Sequence, residues 1–393
     1  MPTTKTGTAA NQPKAPEPAK SAVAQGLEGV VVAQTTLSTV DGVAGKLTYC
    51  GYDIHDLAKN STFEETAFLL WNGRLPKRAE LDKLRSDFRE ASALPERTRR
   101  ILEAAPRSAH PMAVLRTVVS ALGLEDPEAD DDSEDSVRRK AIRLTAQLGT
   151  IVGGFQRIRE GKEPLQPRAD LSHAANSLYL MTGRAPTPDE ARIFDVCLIL
   201  HADHGFNAST FAARVTIATL SDIYSAITSA LGTLKGPLHG GANEAVMKML
   251  LEIDRTGADP AEEVRQRLER REKVSGFGHR VYKTEDPRAT HLREFSRVLG
   301  EKSGQKKWFE MSQRIEALMQ REKGLNSNVD FYSASTYYQL GIPPDQFTPV
   351  FAVSRVSGWT AHVIEQLRNN RLIRPRSEYV GPRGLRYVPL GQR

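Results

Sequence analysis

From Thr62 to Arg371 the chain is a series of segments whose apolar residues recur every three to four positions, the period of a helix with one buried face. Thr62 stands where an N-cap belongs. Phe63, Ala67, Leu70 and Trp71 form one stripe behind it, and Gly73 closes the run. Leu81, Leu84 and Phe88 continue the pattern, as do Val114, Val118 and Leu122. Further helical runs are read over Arg138 to Ile158, Leu171 to Met181, Asp189 to His201, Asp259 to Arg271, Lys307 to Lys323 and Val350 to Arg371. The stretch 208–234, rich in Ala, Ser and Thr, suits close helix packing. No strand–helix–strand alternation and no internal repeat interrupts the series, which argues for a mainly α fold.

The exception lies near the N-terminus. Val30 to Val40 is β-prone, Asp41-Gly42 supplies a turn, and Lys46 to Cys50 reads as the return strand of a small hairpin. Residues 1–25 carry almost no bulky apolar side chain and are read as a disordered tail. Glu125 to Asp135 holds eight acidic residues in eleven, read as a solvated loop rather than a cation site. Cys50 and Cys197 are the only cysteines and lie far apart, which speaks against a disulfide framework and for a reducing, cytoplasmic setting. No apolar run reaches membrane-spanning length. The net charge of +6 suits anionic small molecules as well as nucleic acid, and decides neither.

Five segments hold polar residues that a simple core would not want. In Gly236-Pro-Leu238-His239-Gly240-Gly241-Ala-Asn243, a turn leads into a helix with Asn243 as candidate cap. His239 then sits ahead of a helix N-terminus, where a neutral, donating imidazole is favoured. A tight turn whose histidine fills a gap is the plainer alternative. His201-Ala-Asp203-His204-Gly205-Phe-Asn207-Ala-Ser209 puts two histidines on one helix face, yet no third ligand follows at a metal spacing. Ser275-Gly276-Phe277-Gly278-His279-Arg280, running on to Lys283 and Asp286-Pro287-Arg288, could hold a phosphorylated group or a carboxylate, or be only a basic turn. It lacks the third glycine and the preceding strand of a dinucleotide fingerprint. Asn328-Val329-Asp330 sets one acid at a helix start, as a cap or as a base. Arg355 lies within an apolar helix and calls for an anion, whereas Arg374 follows a helix end. Neutral histidines, one carboxylate and several arginines, with no nucleophile motif, suit proton abstraction beside a carbonyl in an anionic substrate.

Taken in order, His-Ala-Asp-His-Gly-Phe-Asn-Ala-Ser-Thr, Gly-Pro-Leu-His-Gly-Gly-Ala-Asn, Gly-Phe-Gly-His-Arg, Asp-Pro-Arg, Asn-Val-Asp-Phe-Tyr-Ser, Val-Ser-Arg and Arg-Pro-Arg-Ser resemble the citrate synthase family, most closely its bacterial dimeric type. The likeness runs from about Gly26 to the C-terminus. It implies a two-domain helical fold, with 26–239 and 342–393 as the large domain and 240–341 as a small one that closes over the substrates. It implies condensation of acetyl-CoA with oxaloacetate through an enol and citryl-CoA. Asp330 would be the base, His239 the donor to the thioester oxygen, and His279 the group that polarises and protonates the ketone. His204, Asn207, Arg288 and Arg355 would hold oxaloacetate, with Arg374 supplied by the partner of a homodimer. Leu238, Gly276, Phe277, Gly278, Lys283 and Asn328 would face CoA, a co-substrate, with no metal and no tightly bound cofactor. Gly205 stands where many relatives would carry an acid.

Within the family, a 2-methylcitrate synthase using propionyl-CoA is the nearest alternative, since one methylene is worth only about 1–3 kcal/mol of discrimination. A basic helical nucleic-acid binder would need cations gathered on one face with aromatics between them. Here the arginines sit singly inside glycine- and histidine-bearing segments. A non-catalytic relative would be expected to have lost Asp330 or a histidine, and all are present.

Overall fold

The computed structural model describes residues 23–393, so the expected tail falls almost wholly outside the described residues. Contacts divide the chain into two units. Thr35–Ile373 forms one and contains all sixteen α-helices found among the described residues; the segments up to Gln34 and from Arg374 to Arg393 form the other. That second unit holds single 3-10 turns at Gln25–Leu27 and Leu390–Gln392, and a turn in which Tyr379 donates to the Pro382 carbonyl at 2.9 Å.

The N-terminal hairpin is a three-stranded antiparallel sheet: β1 (Ser38–Asp41), β2 (Lys46–Tyr49) and β3 (Tyr52–Asp53). Val30 to Leu37 is irregular, so β1 begins later than β-propensity suggested. The third strand follows from Cys50 and Gly51, whose φ values of 47° and 88° match the two-residue turn that right-twisted strands accept. The sheet turns Leu47 and Tyr49 into the core, and the Tyr49 hydroxyl donates to the Asp203 carbonyl at 2.9 Å.

Thr62 caps Phe63–Asn72 through a reciprocal pair with Glu65, and Gly73 ends it at φ 71°. The stripes read from the sequence are buried throughout. Three helices escaped the periodicity: Ile54–Asn60, which is too short to repeat a stripe, and Glu96–Glu103 and Pro287–Ser303, where charged residues crowd the run. The acidic stretch is ordered around one cation: buried Lys140 donates to the carbonyls of Glu128, Ala129 and Asp131 at 2.8–2.9 Å. Asp126 pairs with Arg143, Glu128 with Arg139, and Glu134–Asp135 already belong to the helix Glu134–Arg159.

Helices Ala242–Thr256, Pro287–Ser303, Lys307–Lys323 and Val329–Gln339 pack chiefly on one another. The helix Phe347–Arg368 runs through the rest, buried from Phe347 to Ile364. Gly358 lets it lie flush on the preceding segment: a Cβ there would stand 2.3 Å from the Ala202 carbonyl oxygen.

Candidate active site

The sequence segment 201–209 leaves the helix Pro188–His201 and turns at once into Ala208–Ile217. Asn207 caps the second helix, its Oδ1 accepting the Thr210 N–H at 3.1 Å. Gly205 has φ +58°, a conformation an acidic side chain would strain, and its N–H donates to Ser38 Oγ at 2.9 Å. His201 does not share a site with His204. Its Nδ1 donates to the Cys197 carbonyl at 2.8 Å and its ring packs on Phe351, while His204 Nε2 lies 3.2 Å from the Tyr282 hydroxyl.

His239 occupies the turn before Ala242–Thr256, but Asn243 is not the cap. Gly241 takes that position, and Asn243 is buried inside the first turn. The Ser209 backbone N–H donates to His239 Nε2 at 3.3 Å. A backbone N–H can only donate, so the imidazole proton is assigned to Nδ1, which is left free for a ligand. The Ser209 hydroxyl, 2.8 Å from the same Nε2, accepts from the Trp359 indole at 3.1 Å, with Asn207 Oδ1 at 2.8 Å as its alternative acceptor. Burial, then the Arg355 charge, lowers the His239 pKa to about 4. The ring is neutral, and burial rather than its place before a helix is the main cause.

His279 carries the mirror-image tautomer. Its Nδ1 accepts the N–H groups of Val281 and Tyr282 at 3.0 and 3.1 Å, which leaves Nε2–H as the free donor. Burial and Arg288 hold its pKa near 4. His204 stands edge-on to it with ring centroids 5.3 Å apart, and burial with Arg288 and Arg355 keeps it far below its ordinary pKa.

Arg288 is clamped by Asp286 through Nε at 2.9 Å and one Nη at 2.7 Å, both side chains buried. Asp286 also accepts the Val329 N–H at 3.2 Å, which ties the arginine to the helix of Asp330. Nothing in the sequence singled out Asp286 beyond its place in a motif. Arg355 donates through Nε to the His201 carbonyl at 2.6 Å, lies over the Phe351 ring and forms no salt bridge among the described residues.

Asp330 sits in the first turn of Val329–Gln339, yet Asn328 is the cap, accepting the Asp330 N–H at 3.0 Å. Burial pushes the Asp330 carboxyl up to about 6 against the pull of Arg288. The glycine loop is built onto this helix. Asn328 N–H donates to the Gly276 carbonyl, and its side-chain amide to the Gly278 carbonyl, each at 2.9 Å. Phe277 packs at a tilt on Phe331 with centroids 4.5 Å apart. Asn328, expected to face CoA, thus has both side-chain groups engaged in holding the loop and the helix start. Leu238 is 95% exposed. Lys283 is exposed, with its backbone N–H donating to the Gly42 carbonyl at 2.8 Å. Arg288 acts electrostatically on His204, His279, Asp330 and Arg355, and Arg355 acts on His204, His239 and Asp330. Arg374 is exposed and belongs to the other unit.

The sequence profile of the family described as citrate synthase, C-terminal domain, matches residues 26–376. The chain belongs to the citrate synthase family. Citrate synthase 2 of Bacillus subtilis is 53% identical over 94% of this chain and 99% of its own. The citrate synthase structure from Pyrobaculum aerophilum superposes with a TM-score of 0.89 at 41% identity, covering 99% of this chain and 100% of that one. That of Thermoplasma acidophilum, solved with carboxymethyl coenzyme A and oxaloacetate, gives 0.89 at 34% identity, covering 95% and 100%. The family also includes the 2-methylcitrate synthase of Mycobacterium tuberculosis, 45% identical over 91% of each chain.

Proposed function

We propose that this citrate synthase family member condenses acetyl-CoA with oxaloacetate and water, giving citrate and CoA. The observation that carries the reading is a pair of neutral histidines with opposite free donors, Nδ1–H of His239 and Nε2–H of His279, together with a buried carboxylate, Asp330, that serves as no helix cap. Asp330 takes a methyl proton from acetyl-CoA, and His239 donates to the thioester oxygen as the enol forms. A carboxyl raised to about 6 is a better base than an ordinary aspartate, but still weak for a carbon acid. Stabilising the oxygen therefore carries much of the step. The enol carbon attacks the ketone carbon of oxaloacetate, whose oxygen is protonated through His279 Nε2–H, and the proton that Asp330 took from the methyl group restores the neutral ring. Water then cleaves citryl-CoA at the thioester.

Arg288, Arg355 and His204 hold the two carboxylates and the ketone, with Asn207 setting the Ser209 turn beneath them. A guanidinium buried without a salt bridge, as Arg355 is, supports such a role because an anion would complete it. The loop Gly276–Gly278, with Phe277, Leu238 and Lys283, forms the CoA side. Closing of 240–341 over the substrates would exclude water before the enol forms. The functional assembly is a homodimer in which Arg374 reaches the partner's oxaloacetate. The unpaired Cys50 and Cys197 support a cytoplasmic setting.

The test is thiol release with oxaloacetate and either acetyl-CoA or propionyl-CoA. Faster, oxaloacetate-dependent release with acetyl-CoA supports the reading. A preference for propionyl-CoA would assign the 2-methylcitrate reaction, and silence with both would overturn the functional reading.

A further inference from the structure

Arg355, Gly358 and His362 follow one another at i, i+3 and i+7 on a single face of Phe347–Arg368, and all three meet the segment 201–203. Arg355 grips the His201 carbonyl. At Gly358 an added Cβ would stand 2.8 Å from Asp203 Oδ1, and His362 Nε2 lies 3.4 Å from Asp203 Oδ2. His362 and Asp203 are both fully buried. Arg214 donates to His362 Nδ1 at 3.1 Å, so the His362 proton sits on Nε2 and points at Asp203. Arg214 is itself held by Glu365 at 2.6 Å and by Gln366 at 2.9 Å. From the other side Ser38 Oγ donates to Asp203 Oδ2 at 2.5 Å, and the same hydroxyl accepts the Gly205 N–H.

A fully buried carboxylate fixed by two donors is costly unless its charge is used. The cation that lacks a partner stands on the same helix face. We propose that Asp203, held by His362 and Ser38, is a positioning residue for oxaloacetate recognition: it supplies the counter-charge that keeps Arg355 cationic in a dry site, without a salt bridge that would occupy the guanidinium edge the substrate needs. Burial lowers the Arg355 pKa to about 10, and Asp203 is the main charge opposing that fall. Tyr49 and Asp330 act in the same direction and Arg288 against it. His204 and His239, the other titratable groups in its field, are neutral. Asp203 itself stays ionised: burial would raise its carboxyl, but His362, Arg355 and Ser38 outweigh it.

The inference rests on the oxaloacetate reading above, and calorimetric binding of oxaloacetate, which needs no turnover, separates the two. Failure of the wild-type protein to bind oxaloacetate would sink that reading itself. With binding established, Asp203→Asn should move the alkaline loss of oxaloacetate binding down by about one pH unit or more, with weakening that grows above about pH 9 and stays under about twofold at pH 7. The KM for acetyl-CoA should change less than about twofold over the same range. His362→Leu should shift the alkaline limb in the same direction. His362→Gln, which can keep a donor at the Nε2 position, should restore it. Should Asp203→Asn fail to fold, the two His362 variants carry the test. An unmoved alkaline limb, or equal weakening of both substrates, would show that Asp203 only supports the fold.

Discussion

Asp330 and the histidines near it are shifted in opposite directions by the same cause, burial, which disfavours whichever form is charged. The base works only when ionised, so kcat/KM in the free enzyme should fall as pH drops through about 6, while His239 and His279 stay neutral to about 4. A pH–rate profile flat down to pH 5 would contradict Asp330 as the base. Stability should also fall on acidification. The two histidines have folded pKa values below their ordinary 6.5, so their contribution is present above about 6.5 and lost as pH falls towards 4. Asp330 opposes this, because its raised carboxyl takes up a proton more readily in the folded state. Thermal melts of the wild type and of Asp330→Asn between pH 7 and 4 should show the steeper acid loss in the variant. The same substitution should cut thiol release by about 10²–10⁴-fold while leaving oxaloacetate binding largely intact. Appreciable turnover in it would remove the assignment.

The Gly276–Gly278 loop and the helix Val329–Gln339 behave as one piece, joined by the pairing of Phe277 with Ser327 and the Asn328 bonds. At Gly276 the φ of 88° disfavours any side chain, and a Cβ would stand 2.8 Å from the Phe331 ring and 2.9 Å from Val246 Cγ2. Gly276→Ala should therefore cost about 1–3 kcal/mol of stability and displace Asp330 with the loop. Denaturant melts and the acetyl-CoA KM read the two effects, and an unchanged KM would separate the loop from the base. The acidic segment teaches the converse about composition. Eight acids read as a solvated run, yet three of its carbonyls are gathered by one buried ammonium. Lys140→Met leaves those carbonyls short of a donor and should destabilise the protein by more than about 1 kcal/mol. A melt within error of wild type would show that water replaces it.

At the scale of the whole molecule, the segments after Ile373 and before Thr35 form their own unit, rich in exposed apolar side chains such as Val31, Val380, Leu385 and Tyr387. Such exposure suits an arm that is covered in an assembly. Arg374→Ala should raise the oxaloacetate KM without dissolving the dimer, as read by light scattering beside steady-state kinetics. Unchanged oxaloacetate saturation would argue against a shared site, and a monomeric wild type against the dimer.

Helix stripes, the Thr62 cap, the Gly73 stop and the small N-terminal hairpin were legible in the sequence because each depends on residues a few positions apart. The glycine-bearing turns that hold His239 and His279 and the helix start at Asp330 are local in the same way. Tertiary structure alone decided what those residues became. Asn243 went inside its helix because Gly241 took the cap, and Gly205 answers a backbone turn. Which nitrogen of His239 carries the proton depends on a Ser209 N–H thirty positions away. Asp203, the main anion in the field of Arg355, is itself set by Ser38 and His362, from opposite ends of the chain. Periodicity and turn chemistry act over one or two turns of backbone. Desolvation and buried charge act through space, and they exist only once distant segments have closed around the site.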